Sequence, residues 1–202
     1  MLVLASASRA RRELLEASKI SHKVMVSGLD ESSFACEDFN HLVRSISEAK
    51  ARKIVSQIIQ ENYKYSAVDY VLGCDSLFVI DGEVFGKPIS NDQAIKRWKK
   101  MANNKGLLIT GHTLFIKYHP SQLDSGNYFE YFVQAIVSTN VFFSDLTDEE
   151  INSYVISGEG MNSCGGFTLE GKSLSFISKI NGCYSNVLGL SMPWLRKQLL
   201  KF

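Results

Sequence analysis

No two of the four cysteines, Cys36, Cys74, Cys164 and Cys183, have the close spacing of a zinc or redox motif. Scattered in this way, they read as reduced thiols in a cytosolic protein. An excess of either charge is also lacking: 22 Lys and Arg balance 21 Asp and Glu, for a net charge of +1. General binders of nucleic acid or membrane surfaces carry a strong basic excess, so neither partner is expected, while a local basic pocket for a small anion stays open. No apolar run is long enough to cross a bilayer. The opening MLVLASASRARRELL is no secretory signal, because its apolar run is too short and its charges follow rather than precede it. Internal repeats and low-complexity segments are absent. The expectation is one cytoplasmic domain over residues 1–202, with a hydrophobic content of 45% to build its core.

What is present is organised around residues 71–88, VLGCDSLFVIDGEVFGKP. Val71, Leu72, Gly73 and Cys74 form an apolar run short enough for one buried strand, and Asp75 stands where that run ends. Residues 77–80, the pair Asp81-Gly82 and residues 83–85 then read as a hairpin. The stretch closes on Gly86-Lys87-Pro88. One carboxylate and one ammonium thus arrive at neighbouring edges of a sheet, and ligands of open α/β sheets gather at strand ends. A carboxylate there suits metal binding or proton abstraction from water, and a lysine there suits phosphate. Residues 82–87 faintly resemble a phosphate-binding P-loop, but the glycine spacing is one residue short and Pro88 stands where a magnesium-binding hydroxyl belongs.

At the start of the chain, Leu2 to Ala5 reads as a strand, Ser6-Ala7-Ser8 as a turn, and Ser8 as the cap of a helix loaded with Arg9, Arg11 and Arg12. Arginines in a first turn oppose the helix dipole. That arrangement makes sense where a phosphate meets free backbone N–H groups, serine hydroxyls and Arg11; the alternative is a solvated basic helix face. Residues 21–27 alternate as a strand, and Asp30-Glu31 follows in a loop. Residues 40–60 carry a helical pattern that leaves Lys50 near the apolar stripe, where it must snorkel or find an anion. A capping box at residues 90–93 opens a helix to about Met101. Residues 107–118 read as a strand interrupted by Thr110-Gly111-His112, with His112 structural rather than catalytic. A turn-rich loop over 120–127 precedes a strand over 128–143. A second capping box at 147–150 opens a short helix. A glycine-rich loop over 159–171 holds Glu170. A strand over 174–180, a loop over 182–189 and a helix over 192–200 complete the chain.

These pieces resemble, in order and spacing over nearly the whole length, the Maf family of nucleoside triphosphate pyrophosphatases, also called septum formation proteins. Leu4-Ala5-Ser6-Ala7-Ser8 with Arg11 is similar to the family's opening signature, Asp30-Glu31 to its acidic pair, and Glu48-Ala49-Lys50-Ala51 to its helix lysine motif. Gly73-Cys74-Asp75-Ser76 and Gly86-Lys87-Pro88 resemble its central pair. Thr110-Gly111, Gly165-Gly166-Phe167, Glu170-Gly171 and Val187-Leu188-Gly189-Leu190 resemble its later landmarks.

The resemblance implies an α/β fold, a mixed sheet flanked by helices with two lobes around a deep cleft, often as a homodimer. It implies hydrolysis of a nucleoside triphosphate to the monophosphate and pyrophosphate with a divalent cation, Mg²⁺ or Mn²⁺. Asp75 matches the catalytic acid position. Ser6, Ser8, Arg11, Lys50 and Lys87 match phosphate-binding positions, and Glu31 with Asp75 the metal carboxylates. The alternative is a nucleotide-binding regulator of septum formation that needs no catalysis. Three positions separate the branches of the family. The dTTP and UTP branch carries Arg, Thr and Gln there; the 7-methyl-GTP branch carries a bulky aromatic, Gln and Glu. This chain has Ala10, Ser76 and Glu170 and so matches neither. Glu170 is acceptor-only and can take two hydrogens from the Watson–Crick edge of a guanine-type base, where uracil offers one.

Overall fold

The computed structural model of the chain describes residues 1–34, 36–61, 67–117, 129 and 131–201. Two compact units divide it: Met1–Asp75 with Thr110–Ile136, and Ser76–Ile109 with Val137–Phe202. Among the described residues the strands form one seven-stranded sheet.

The first unit opens with β1 (Leu2–Leu4), α1 (Arg9–Ala17) and β2 (His22–Val24). The 22-residue α2 (Phe39–Gln60) follows and leads into β3 (Tyr70–Ile80). β2 is shorter than the alternation of residues 21–27 predicts; its pairing stops at Val24, opposite the last residue of β1. β1 pairs in parallel with β2 on one side and β3 on the other, with Leu4 opposite Val24 and Leu72. Parallel strands are covered on their faces, and β1 reads accordingly as a wholly buried apolar run. The core gathers Val3, Ala51, Ile54, Val55, Val71 and Phe115.

Two glycines set how closely α2 lies on the sheet. A Cβ added at Gly73 would meet the Ser47 carbonyl oxygen at 2.1 Å, and one at Gly111 would meet the Val43 carbonyl oxygen at 2.2 Å. That close approach explains one departure from the sequence reading. Thr110-Gly111-His112 does not interrupt a strand: β5 runs unbroken over Lys105–Ile116, and Gly111 serves helix packing.

The second unit holds β4 (Glu83–Val84), which pairs antiparallel with the end of β3 across the Asp81-Gly82 turn. Both turn residues have positive φ, as a two-residue hairpin demands. This pairing keeps β3 extended to Ile80, so Asp75 is a mid-strand residue and not the end of a run. α3 (Asn91–Met101) and α4 (Asp148–Ile156) pack on an aromatic core of Phe78, Phe85, Trp98, Phe143, Tyr154 and Phe167. Thr147 and Glu150 close a full capping box at α4. At α3 only half forms: the Ser90 hydroxyl accepts from the Gln93 amide, but the Gln93 side chain accepts from Ile89 N–H instead of Ser90.

β6 (Tyr131–Phe143) pairs antiparallel with β7 (Ile177–Asn181). The sequence reading starts β7 at residue 174, but Gly171–Phe176 is a 3₁₀ segment. The Glu159 carboxylate accepts from the Lys172 and Ser173 amides and holds that turn. Residues 182–189 contain a short helix, α5 (Tyr184–Val187), and α6 (Met192–Leu199) closes the chain with Ser191 as its cap. The sheet order is β2-β1-β3-β5-β6-β7, with β4 beside β3. The expected 120–127 loop, the last residue of the expected 107–118 strand, and residues 128 and 130 of the expected 128–143 strand lie outside the described residues. Among the described residues, no helix is long and apolar enough to cross a membrane.

Candidate active site

The chain leaves β1 through α1 to reach β2 on one side, and returns through α2 to β3 on the other. Successive connections therefore run in opposite directions at the β1/β3 pair. Such a switch point, at the carboxyl ends of the strands, is where open α/β sheets bind ligands. β1 ends at Leu4, whose register partner is Leu72, so Asp75 projects from the part of β3 beyond its neighbour's end.

The turn that follows β1 is built by its own serines. Ser8 caps α1, its hydroxyl accepting from the Arg11 amide at 3.4 Å, and the Ser8 amide donates to the Ser6 hydroxyl at 3.2 Å. The Arg11 guanidinium folds back from the helix. Its Nη1 donates to Ser6 Oγ at 3.0 Å and to the Cys74 carbonyl at 2.9 Å, with the residue only 8% exposed. Arg11 therefore ties the turn after β1 to the peptide immediately before Asp75. The other first-turn arginines do not join it. Arg9 pairs with Glu13 and Arg12 with Glu16 along the exposed helix face. The arginine-loaded helix start thus needs no anion to explain Arg9 or Arg12; only Arg11 turns inward.

Lys50 resolves in the second of the two ways open to it. It does not snorkel; its Nζ lies 2.7 Å from Asp75 Oδ1 and 2.8 Å from Glu31 Oε1. Asp75 is 7% exposed. Burial raises its carboxyl above the usual range, and the nearby Lys50 and Arg11 charges pull against that rise without cancelling it. Burial likewise pushes the neighbouring Cys74 thiol up to about 11, which leaves it neutral.

The two acids of the Asp30-Glu31 pair divide their work. Asp30 caps a 3₁₀ turn, accepting from Ser32 N and Ser32 Oγ, and those hydrogen bonds hold its carboxyl below the ordinary value. Glu31 alone reaches Lys50. Lys53, one turn along α2 from Lys50, donates to the Gly28 carbonyl at 2.8 Å and fastens the acidic loop to the same helix. The sequence reading missed Lys53; the only available signal was its place three residues after Lys50. It also missed the Cys74 carbonyl as the anchor for Arg11.

Ala10 is half-buried on α1. The first unit thus brings Ser6, Ser8, Arg11, Glu31, Lys50 and Asp75 into one connected set of contacts. The second unit holds Ser76, Lys87 and Glu170. Ser76 is half-buried, its carbonyl accepting from the Cys164 thiol at 3.5 Å. Lys87 and Glu170 are exposed, and the Glu170 amide donates to Thr168 Oγ1 at 3.0 Å. His112, set aside as structural, is fully buried, and burial holds its imidazole down to about 3.

No group of three or more His, Cys, Asp or Glu gathers among the described residues. Carboxylate oxygens of Glu31 and Asp75 nonetheless converge on one cation, the Lys50 ammonium. Two convergent carboxylates offer hard oxygen donors of the kind that would suit a divalent cation such as Mg²⁺.

Known proteins similar to this chain agree with one another. A family model described as Maf-like protein matches residues 1–202. The chain is 45% identical over 201 residues to a nucleoside triphosphate pyrophosphatase of Prochlorococcus marinus, covering 100% of this chain and 97% of that protein. It is 45% identical over 199 residues to a protein of the same name from Parasynechococcus marenigrum, covering 98% and 94%. A third, from a Synechococcus species, is 43% identical over 199 residues, covering 98% of each.

Proposed function

The chain belongs to the Maf family, and we propose that it hydrolyses nucleoside triphosphates between the α- and β-phosphates, releasing nucleoside monophosphate and pyrophosphate. The observation that carries this reading is the Asp75 carboxylate, buried beside Lys50 and joined through the Cys74 peptide to Arg11. A carboxylate raised above its ordinary pKa is a stronger base than a solvated one, and the cations beside Asp75 favour its ionised form. Asp75 accepts a proton from water as the oxygen attacks the α-phosphorus. The bond to the bridging oxygen breaks, and negative charge collects on the departing pyrophosphate. Arg11 and Lys50 offset that charge, and the Ser6–Ser8 turn at the start of α1 supplies hydroxyl and amide donors to phosphate oxygens. Lys87 is assigned to the phosphates on the family resemblance.

Glu31 and Asp75 would hold the divalent cation, Mg²⁺ or Mn²⁺. When bound, it neutralises phosphate charge and lowers the pKa of water. The Lys50 ammonium, which bridges the same two carboxylates, keeps them close together.

Glu170 is assigned to the base. As an acceptor-only group it favours a guanine-type or modified purine over uracil or thymine. Removal of non-canonical nucleotides is the role that fits such a preference. The test is a panel of nucleoside triphosphates with Mg²⁺ or Mn²⁺, read as pyrophosphate release. Guanine-type nucleotides should be turned over best. UTP and dTTP as far better substrates would overturn the assignment of Glu170, and no release from any nucleotide would overturn the activity itself.

A further inference from the structure

Lys87 has an exposed side chain, yet the backbone on both sides of it is held firmly within its own unit. Phe85 is fully buried; its amide donates to Phe78 O at 2.7 Å, and its carbonyl accepts from the Gly165 amide at 2.8 Å. Pro88 is buried as well. Beside these apolar anchors, two polar side chains from one face of α3 reach the peptide backbone. Arg97 Nη1 donates to the Gly86 carbonyl at 2.9 Å, one residue before Lys87. Gln93 Oε1 accepts from the Ile89 amide at 3.0 Å, two residues after it. Residues 93 and 97 are four apart and so neighbours on a helix surface.

Arg97 is used unusually for an arginine on a helix face. Its guanidinium carbon lies over the Phe85 ring, 5.4 Å from the centroid, while one N–H goes to a main-chain carbonyl. Two lysines of α3 pair with carboxylates, Lys99 with Asp148 and Lys100 with Glu83, and the Lys100 ammonium also lies 5.9 Å from the Phe85 ring centroid. A guanidinium N–H donated to a backbone carbonyl fixes a peptide plane. The plane it fixes is the one that sets the direction in which Lys87 leaves the chain.

We propose that Arg97, with Gln93 as the second arm, is a positioning residue for Lys87. The pair clamps the Gly86–Ile89 backbone so that the Lys87 ammonium is presented to the triphosphate in one preorganised direction. This rests on the reading of Lys87 as a phosphate ligand.

The test is a double-mutant cycle on the full chain, with KM and kcat measured for one turned-over nucleoside triphosphate with Mg²⁺. Lys87→Met alone should raise KM. Arg97→Met should raise KM by about fivefold, the order of one lost hydrogen bond, with a smaller change in kcat. In the Lys87→Met background, Arg97→Met should change KM by less than about twofold, because the residue it orients is gone. Gln93→Ala gives an independent arm that leaves the Phe85 packing intact. It should show the same pattern, a KM increase that vanishes beside Lys87→Met. If Lys87→Met leaves KM unchanged, the phosphate role of Lys87 falls and the clamp falls with it. If Lys87→Met raises KM while the Arg97 and Gln93 variants are silent, or act equally in both backgrounds, only the clamp is overturned.

Discussion

Replacing Lys50 by Met removes the one ammonium shared by Asp75 and Glu31 while keeping an unbranched apolar stem of similar length. The consequence is set by burial. Glu31 has 52% of its side chain exposed, so losing its half of the contact costs little. Asp75 has only 9% of its side chain exposed, and a buried charge stripped of its partner is strongly destabilising. Asp75 escapes by taking a proton, which limits the loss at neutral pH to about 1.4 kcal/mol for each pH unit above its ordinary value. Together these give a loss of about 3 kcal/mol near pH 7, or roughly 6–12 °C in melting temperature for a chain of this size. The pH dependence is the sharper signature. Burial already raises the Asp75 pKa in the folded protein, so the native state keeps a proton that the unfolded chain has released, and stability falls as pH rises through that window. Without Lys50 the window extends further upward. The gap between Lys50→Met and the parent should therefore narrow on acidification, as Asp75 gains its proton in both proteins, and widen toward neutral pH. Urea titrations in chelator at pH 4.5, 6 and 7.5 read this directly. A gap that is the same at all three values would refute the claim that Lys50 stabilises the Asp75 charge.

His112 makes the opposite slope. Burial holds it neutral down to about 3, while an unfolded histidine protonates near its ordinary value of 6.5. Stability should decline on acidification from pH 6.5 by roughly 1.4 kcal/mol per unit from this one group, and His112→Gln should lack that component; parallel curves for the two proteins would show that His112 titrates normally. Gly73→Ala should destabilise by about 3 kcal/mol or more, since its Cβ would overlap the Ser47 carbonyl in α2, whereas Gly86→Ala, with open space at that position, should be near neutral. Equal melting temperatures for the two variants would mean that α2 does not approach β3 so closely.

The parts of the fold that could be read from sequence were those whose signals are local. The Ser8 cap, the Thr147 capping box, the Asp81-Gly82 hairpin and the period of α2 each depend on residues within one turn or one ladder. The site residues were legible as a set because their order along the chain resembles a family; the Lys50 position near an apolar stripe left snorkelling or an anion open, and only the fold brings Asp75 and Glu31 to it. The strand boundaries were not legible where tertiary contacts set them. Gly111 looks like a break until α2 is laid against it. Asp75 looks like a strand end until β4 extends the pairing beyond it. Residues 174–176 look like strand until the Glu159 carboxylate, from the far end of the preceding loop, accepts from the Lys172 and Ser173 amides and holds the 3₁₀ turn they belong to. Arg11 was singled out from Arg9 and Arg12 by its place in the family signature, because nothing in the residue type tells which arginine finds a glutamate one turn on and which finds a carbonyl on a neighbouring strand.

The central claim is that the buried carboxylate of Asp75 activates water against a nucleoside triphosphate. Asp75→Asn keeps the shape and removes the base. Pyrophosphate release should fall by at least about 10²-fold, the loss typical of a missing general base, while the cooperative melting transition is retained. Unchanged release by a folded Asp75→Asn protein would contradict the account.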